Sequence, residues 1–301
     1  MYTVEHLANI RLYELERVSP YVRKGSKVLE IGAGMGLQAK QLSELGVRVT
    51  AIDVPSSFYK PDQIWPVIEY DGVHIPFPDD YFDVVFSSNV LEHIPHVLSF
   101  QAELQRVLKP DGIAIHILPS ACWRIASTIA HYAWVVDGAF KHFLKRRSTF
   151  EIEEAGNPRS EPANNKPRLI RTLIAPERHG EFGNTITEMY YFSKFRWNRL
   201  FNATGWTIEE HSSNRLFYTG YCILGLKLSI RARRLLSYVF GSACHVFILR
   251  KAPAPAFAAE RVADSGADRR TVAALIKAVV PLYCFASQLC DFSILSDFQI
   301  L

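Results

Sequence analysis

The residues best suited to chemistry lie early in the chain, in Glu30-Ile31-Gly32-Ala33-Gly34-Met35-Gly36, with Asp53 following the apolar run Val47 to Ile52. Glycines at alternate positions let the backbone turn tightly and approach a ligand closely, because no Cβ stands in the way. A carboxylate at the end of the next strand is placed to accept two hydrogen bonds from a ribose diol, and bonds to a charged acceptor contribute about 1.5–3 kcal/mol each. The spacing also separates two kinds of ribose-bearing ligand. A dinucleotide fingerprint reads G-x-G-x-x-G, whereas here the glycines fall as G-x-G-x-G and Leu37 stands at the third fingerprint position. Glu30, just before the loop, is poorly placed beside a pyrophosphate and well placed near an ammonium. The ligand that fits carries a ribose, a cationic amino-acid end and no phosphate, which describes S-adenosylmethionine (SAM) better than NAD.

A second constellation lies in the other half, Glu177-Arg178-His179-Gly180-Glu181 with Glu188 beyond it. Histidine is the side chain best able to take a hydroxyl proton near neutral pH. His179 is therefore a candidate acceptor-side base, with Glu181 to orient it; a histidine that merely stabilises a loop is the other reading. His93, within Leu91-Glu92-His93, is a third candidate, as base or as packing residue. Asp79, Asp80 and Asp83 read as turn formers. Methyl transfer asks little of a protein, since a sulfonium is already an activated donor and alignment supplies most of the rate. A dedicated base is needed only for a hydroxyl acceptor.

The elements that must position these residues follow the rhythm of an α/β sheet. An amphipathic helix spans the N-terminal residues, where charge is too frequent for a signal peptide. Lys27–Ile31 and Val47–Ile52 are strands flanking a glycine loop and the helix Leu37–Leu45, closed by Gly46: a βαβ unit whose loops at the carboxyl strand ends face a ligand. Further strands are expected at Val67–Tyr70, Phe82–Ser87 and Ile113–Leu118, with a helix from Val97 to Leu108 and a turn at Asp111-Gly112. Five strands with helices between them specify a doubly wound α/β sheet. The rhythm then breaks. Ser120–Phe143 reads as a long aromatic helix and Glu151–Pro176 as a loop, together a cap over the ligand edge. Helix Lys194–Thr204, strand Trp206–His211, helix Ile230–Phe240 and strand Cys244–Leu249 complete the sheet. Ala252–Asp268 reads as a linker and Thr271–Leu289 as apolar helices too short to cross a bilayer. The segments are thus 1–24 (helix on the core), 25–120 (ligand-binding core), 121–192 (cap), 193–251 (rest of the sheet) and 252–301 (linker and apolar helices).

The run Val28-Leu29-Glu30-Ile31-Gly32-Ala33-Gly34-Met35-Gly36 with Asp53 resembles the first two motifs of class I SAM-dependent methyltransferases. The stretches from Glu69 to His96 and from Leu104 to Ser120 resemble the remainder of the type 11 methyltransferase domain. The likeness covers roughly residues 25–120. It implies a Rossmann-like sheet of seven strands with the last antiparallel. Residue by residue, it implies that Gly32, Ala33, Gly34 and Gly36 line the methionine part of SAM, with Glu30 near the amino group. Asp53 would hold the ribose hydroxyls, with Val54 beside the adenine. Asp71 and the Gly72 amide would read the adenine edge, and Ser88 and Asn89 would lie close to the sulfonium. The segment from Pro176 to Ser193 more loosely resembles bacterial methyltransferases of surface-glycan pathways.

The net charge of +4 conceals a division: residues 1–120 carry −5, residues 121–180 carry +4, and residues 214–251 carry seven bases and no acid. The five cysteines, Cys122, Cys222, Cys244, Cys284 and Cys290, form no C-x-x-C pair, so a reduced, cytoplasmic setting and no metal site are expected. The helices around Arg231 and around Trp123–Arg147 are both basic and apolar, suited to a peripheral position on an anionic membrane; solvated outer helices are the alternative. No nucleic-acid module is present. The expected protein is a SAM-dependent methyltransferase acting on a small or lipid-linked acceptor, first at oxygen on a saccharide, next on a quinone-like or lipid acceptor. A SAM-binding scaffold without activity is the competing class.

Overall fold

The computed structural model describes residues 4–57, 59–148, 176–220 and 227–253. The chain divides into two compact units, residues 1–251 and 252–301, and the first holds the sheet with its helices. Helix α1 (Val4–Val18) precedes β1 (Lys27–Ile31), α2 (Leu37–Glu44), β2 (Arg48–Asp53), β3 (Val67–Glu69) and β4 (Phe82–Ser88). Then come α3 (Val97–Val107), β5 (Leu108–Pro119), α4 (Ala121–Ser148), a single turn α5 (Glu188–Tyr191), α6 (Lys194–Ala203), β6 (Trp206–Ser213), α7 (Ile230–Phe240) and β7 (Cys244–Lys251). The seven strands lie in the order β3-β2-β1-β4-β5-β7-β6. All pairings are parallel except those of β7, which runs antiparallel to β5 and to β6. Strand order reverses between β1 and β4, and the crevice at their carboxyl ends is where an open α/β sheet takes its ligand.

The alternation of side chains in the strands builds two cores. Leu29, Ile31, Val85, Ala114 and Leu118 face one side with Phe100 and Leu104 of α3 and Trp197 and Phe201 of α6. Val28, Val84, Phe86, Ile115 and Ile117 face the other with Ile10 and Leu15 of α1 and Leu42 of α2. Burial on both faces is the reason the central strands read as continuous apolar runs. His116 is enclosed among them and bonds Ser87 Oγ at 2.8 Å; burial holds its imidazole down to about 3, a neutral core histidine.

Several boundaries differ from the sequence reading, those of β5, β6 and β7 because a neighbouring strand offers a ladder. Helix α3 stops at Val107 and β5 begins at once, since Leu108 pairs with Phe82 and the register then shifts to Val84–Ile113; the expected turn at Asp111-Gly112 becomes part of this irregular strand. Strand β6 continues to Ser213 against His245, and β7 to Lys251 against Trp206. Strand β3 is one residue shorter than expected, and α4 runs on to Ser148. The three aspartates hold turns and edges: Asp79 pairs with Arg106, Asp80 has φ 51° and meets Lys251, and Asp83 takes Lys109 and the Lys27 amide. Residues 151–175 of the loop expected at Glu151–Pro176, and the apolar helices expected at Thr271–Leu289, lie outside the described residues.

Candidate active site

At the carboxyl ends of β1 and β2 the chain turns so sharply that Gly32, Gly34 and Gly36 all have positive φ, between 56° and 76°. At Gly32 a Cβ would fall 2.4 Å from the Val90 side chain, so no larger residue fits between the loop and the segment that follows β4. The Gly32 and Ala33 amides donate to the Ile52 carbonyl, tying the loop to β2. Asp53 is fixed from both sides: one carboxylate oxygen accepts from the Gly34 amide and the other from the Val54 amide, each at 2.8 Å. Asp53 is therefore oriented before any ligand arrives.

The loop borders a cavity of about 1140 Å³. Gly32, Ala33, Gly34, Asp53, Val54, Asp71, Gly72, Ser88 and Asn89 all line it, as do His93 and His179. Two expected cofactor contacts do not. Gly36 turns the chain into α2, and its missing side chain leaves room for Trp65, whose Cβ would be 2.5 Å from a Cβ at that position. Glu30 is enclosed beneath the loop, with one carboxylate oxygen lacking a partner among the described residues. Burial, and then the charge of Asp53, push its carboxyl up to about 8. Asp71 spends one oxygen on its own turn, accepting from the Val73 and His74 amides at 2.7 Å each, and these bonds hold its carboxyl below the usual carboxylate range.

The opposite wall comes from parts of the chain far apart in sequence. His93 and His179 meet edge to face with ring centroids 4.8 Å apart, and Trp123 of α4 lies 4.6 Å from the His179 ring. Behind them is Glu92, buried, with neither carboxylate oxygen hydrogen-bonded among the described residues; one oxygen sits 3.7 Å from His93 Nε2 and 3.9 Å from His179 Nε2. Burial pushes the Glu92 carboxyl up to about 8. Burial, with the charges of His93, Arg124 and Arg11 assisting, holds the His179 imidazole down to about 3. Glu181 does not orient His179 as the sequence suggested. It faces Arg178 at 3.8 Å and lies off the cavity, while its amide donates to the Glu92 carbonyl. Gly180 packs so close to residue 92 that a Cβ there would lie 3.0 Å from the Glu92 carbonyl oxygen, which makes Glu92 the buried neighbour of His179.

The loop carrying His179 hangs from a buried ion pair. Glu188 accepts from the His179 and Gly180 amides at 2.6 Å each, and its other oxygen meets Arg124 of α4 at 2.9 Å. Glu92, His93 and His179 could each offer one atom to a cation, all within 4.8 Å. The charges of Arg11 and Arg124, however, act on the same spot, and guanidinium groups that disfavour an imidazolium disfavour a dication as well.

Arg11, Trp123 and Tyr218 also line the cavity and were not foreseen. Arg11 donates to Glu14 at 2.6 Å and to Ser88 Oγ at 3.1 Å, and the Asn89 side-chain amide lies beside the same guanidinium. Glu14, fully enclosed, accepts further bonds from Asn214 at 2.8 Å and the Tyr218 hydroxyl at 3.0 Å. One signal was available in the sequence: Glu14 shares the apolar face of α1 with Leu7, Ile10 and Val18, where an acid needs a partner.

Residues 29–116 match the family described as methyltransferase domain (Methyltransf_11). Over 115 residues the chain is 35% identical to a ubiquinone/menaquinone biosynthesis C-methyltransferase UbiE of Cupriavidus pinatubonensis, covering 34% of this chain and 47% of that protein. Over 100 residues it is 33% identical to an uncharacterized methyltransferase of Mycobacterium avium, covering 30% and 38% respectively. The matches thus span less than half of those relatives. Among solved structures it is similar to S-adenosylmethionine-dependent methyltransferases of Mesorhizobium loti (15% identity, TM-score 0.47, 79% of this chain and 98% of that one) and Aquifex aeolicus (16%, 0.44, 80% and 92%).

Proposed function

We propose that the chain, whose residues 29–116 match a methyltransferase domain, is a SAM-dependent enzyme that methylates an acceptor with a largely apolar ring and an ionisable hydroxyl, of the quinol type. The observation that carries this reading is the two-sided cavity. One wall is the glycine loop with Asp53, and the other is an apolar and aromatic wall of Leu7, Ile10, Trp123 and Tyr218 carrying His93, His179 and Arg11. An inactive scaffold has no need of the space on that second side.

SAM supplies an activated methyl group when bound. The residues of this chain hold its ribose at Asp53, leave a cradle at Gly32 that no Cβ obstructs, and present an acceptor wall facing the loop. Burial keeps His179 neutral but weakens it as a base, so it takes the acceptor proton when ionised Glu92 steadies the imidazolium that results. Arg11, at Ser88, favours negative charge developing on the acceptor oxygen. A saccharide hydroxyl is the second reading, supported by Trp123 and His179 sharing one wall, where a sugar ring could stack beside a base.

Methyl-labelled SAM offered with a hydroquinone panel and a saccharide panel separates the two. Label is expected in the hydroquinones, and label confined to saccharides would reverse the assignment. Asp53→Ala should lower SAM affinity by about 100-fold or more by calorimetry, two charge-assisted bonds being lost; unchanged affinity would remove Asp53 from the ribose site.

A further inference from the structure

Two helices of this fold bury polar side chains and leave large apolar ones exposed. On α4 the buried face carries Arg124, Ser127 and His131 beside Trp123 and Ala130, while Ile125, Ile129, Tyr132, Val136 and Phe140 face outward, with Ile129 66% and Val136 68% exposed. These five recur at intervals of four, three, four and four residues, a single stripe along about 22 Å of helix. On α7 the buried residues are Arg233 and Ser237, while Leu235, Tyr238 and Val239 are 69%, 72% and 75% exposed. The two helices adjoin, for a Cβ on Gly241 at the end of α7 would lie 2.5 Å from Cys122 Sγ at the start of α4.

The charge around these faces is predominantly basic, Asp137 being the one acid of α4. Lys227, Arg231 and Arg234 are exposed beside the α7 face, and residues 214–251 contain no acid. The sequence of α4 ends in Lys141, Lys145, Arg146 and Arg147. Among the described residues no helix is long and apolar enough to cross a membrane. Apolar side chains with bases at their margins, on helices that do not span, are what an anionic lipid surface takes up: the apolar groups enter the acyl boundary and the bases meet the headgroups. The geometry points to docking of the outward faces of α4 and α7 on an anionic lipid bilayer. The inference stands apart from the methyl-transfer reading, because none of these outward residues lines the cavity.

Flotation of the full chain tests it, with vesicles of phosphatidylcholine alone and of phosphatidylcholine containing about 30% phosphatidylglycerol. The protein should float with the anionic vesicles and about tenfold less with the neutral ones or in high salt. Leu235→Glu with Val239→Glu, and separately Ile129→Glu with Val136→Glu, should each reduce flotation by about tenfold or more. SAM binding retained by each variant shows that it is folded. Arg231→Glu with Arg234→Glu should reduce flotation selectively on anionic vesicles. Absence of flotation on anionic vesicles would overturn the proposal, as would flotation undiminished in the apolar variants, which would assign lipid binding to another segment such as residues beyond 253. A wild-type dimer made monomeric by the α7 variant, without lipid binding, would assign the face to a second copy of the chain.

Discussion

Among the described residues, Glu92 and Glu30 are the two carboxyls pushed furthest up, to about 8, and each has a consequence for pH. With its carboxyl near 8, Glu92 is largely protonated at neutral pH and steadies an imidazolium only once ionised. Methyl transfer to a hydroxyl acceptor should therefore rise with pH through about 8, and Glu92→Gln should be slower and lose that rise while SAM affinity is kept. A pH–rate profile showing the same rise in the variant would place the titrating group elsewhere. For Glu30 the folded value of about 8 lies above the ordinary 4.5. Between those values the unfolded chain ionises first, so stability contributed by the neutral carboxyl falls as pH rises from about 4.5 to about 8. Glu30→Gln should raise Tm at pH 8 by roughly 3–8 °C and leave it unchanged near pH 4; equal shifts at both pH values would mean that ionisation is not the cause. The grouping of the glycine loop with Asp53 was legible because a glycine loop and a strand-ending acid are neighbours in the chain as in space. The pairing of Glu92 with His179 was not, since 87 positions separate them and nothing in either local sequence names the other.

At the scale of elements, the sheet was legible from its alternating apolar runs, and α7 from Ile230 to Phe240 was placed to the residue. Strand ends were less so, because β5, β6 and β7 extend for as long as a neighbour supplies backbone partners, which is a property of the pair. Helix α1 shows the same limit at the site. Read alone it is an amphipathic helix on the core; in place, it delivers Arg11 to the cavity and anchors the chain near Asn214 and Tyr218 through Glu14. Glu14→Ala leaves a buried guanidinium, amide and hydroxyl without their shared acceptor, which should cost about 3–5 kcal/mol in denaturant unfolding. Methyl transfer should fall with it as Arg11 loses its position. A loss below about 0.5 kcal/mol would mean that water replaces the carboxylate.

Across the whole molecule the division of charge acquires a geometry. The −5 of residues 1–120 contains the acids around the cavity, whose expected ligand bears a sulfonium and an ammonium. The acid-free stretch contains α7, on the outside. Composition alone could not show that the two sides are mechanically joined. Arg124, on the inward face of α4, grips Glu188, and Glu188 in turn grips the amides of His179 and Gly180. The helix whose outer stripe would rest on lipid is therefore the helix from which the candidate base is suspended. If docking tilts α4 toward the posture that positions His179, linkage makes the effect mutual: by whatever factor a bilayer tightens acceptor binding, the acceptor tightens adhesion to the bilayer. An enzyme wired in this way would dwell on membranes that contain its acceptor and leave those that do not, so that residence time itself reports the local supply of substrate.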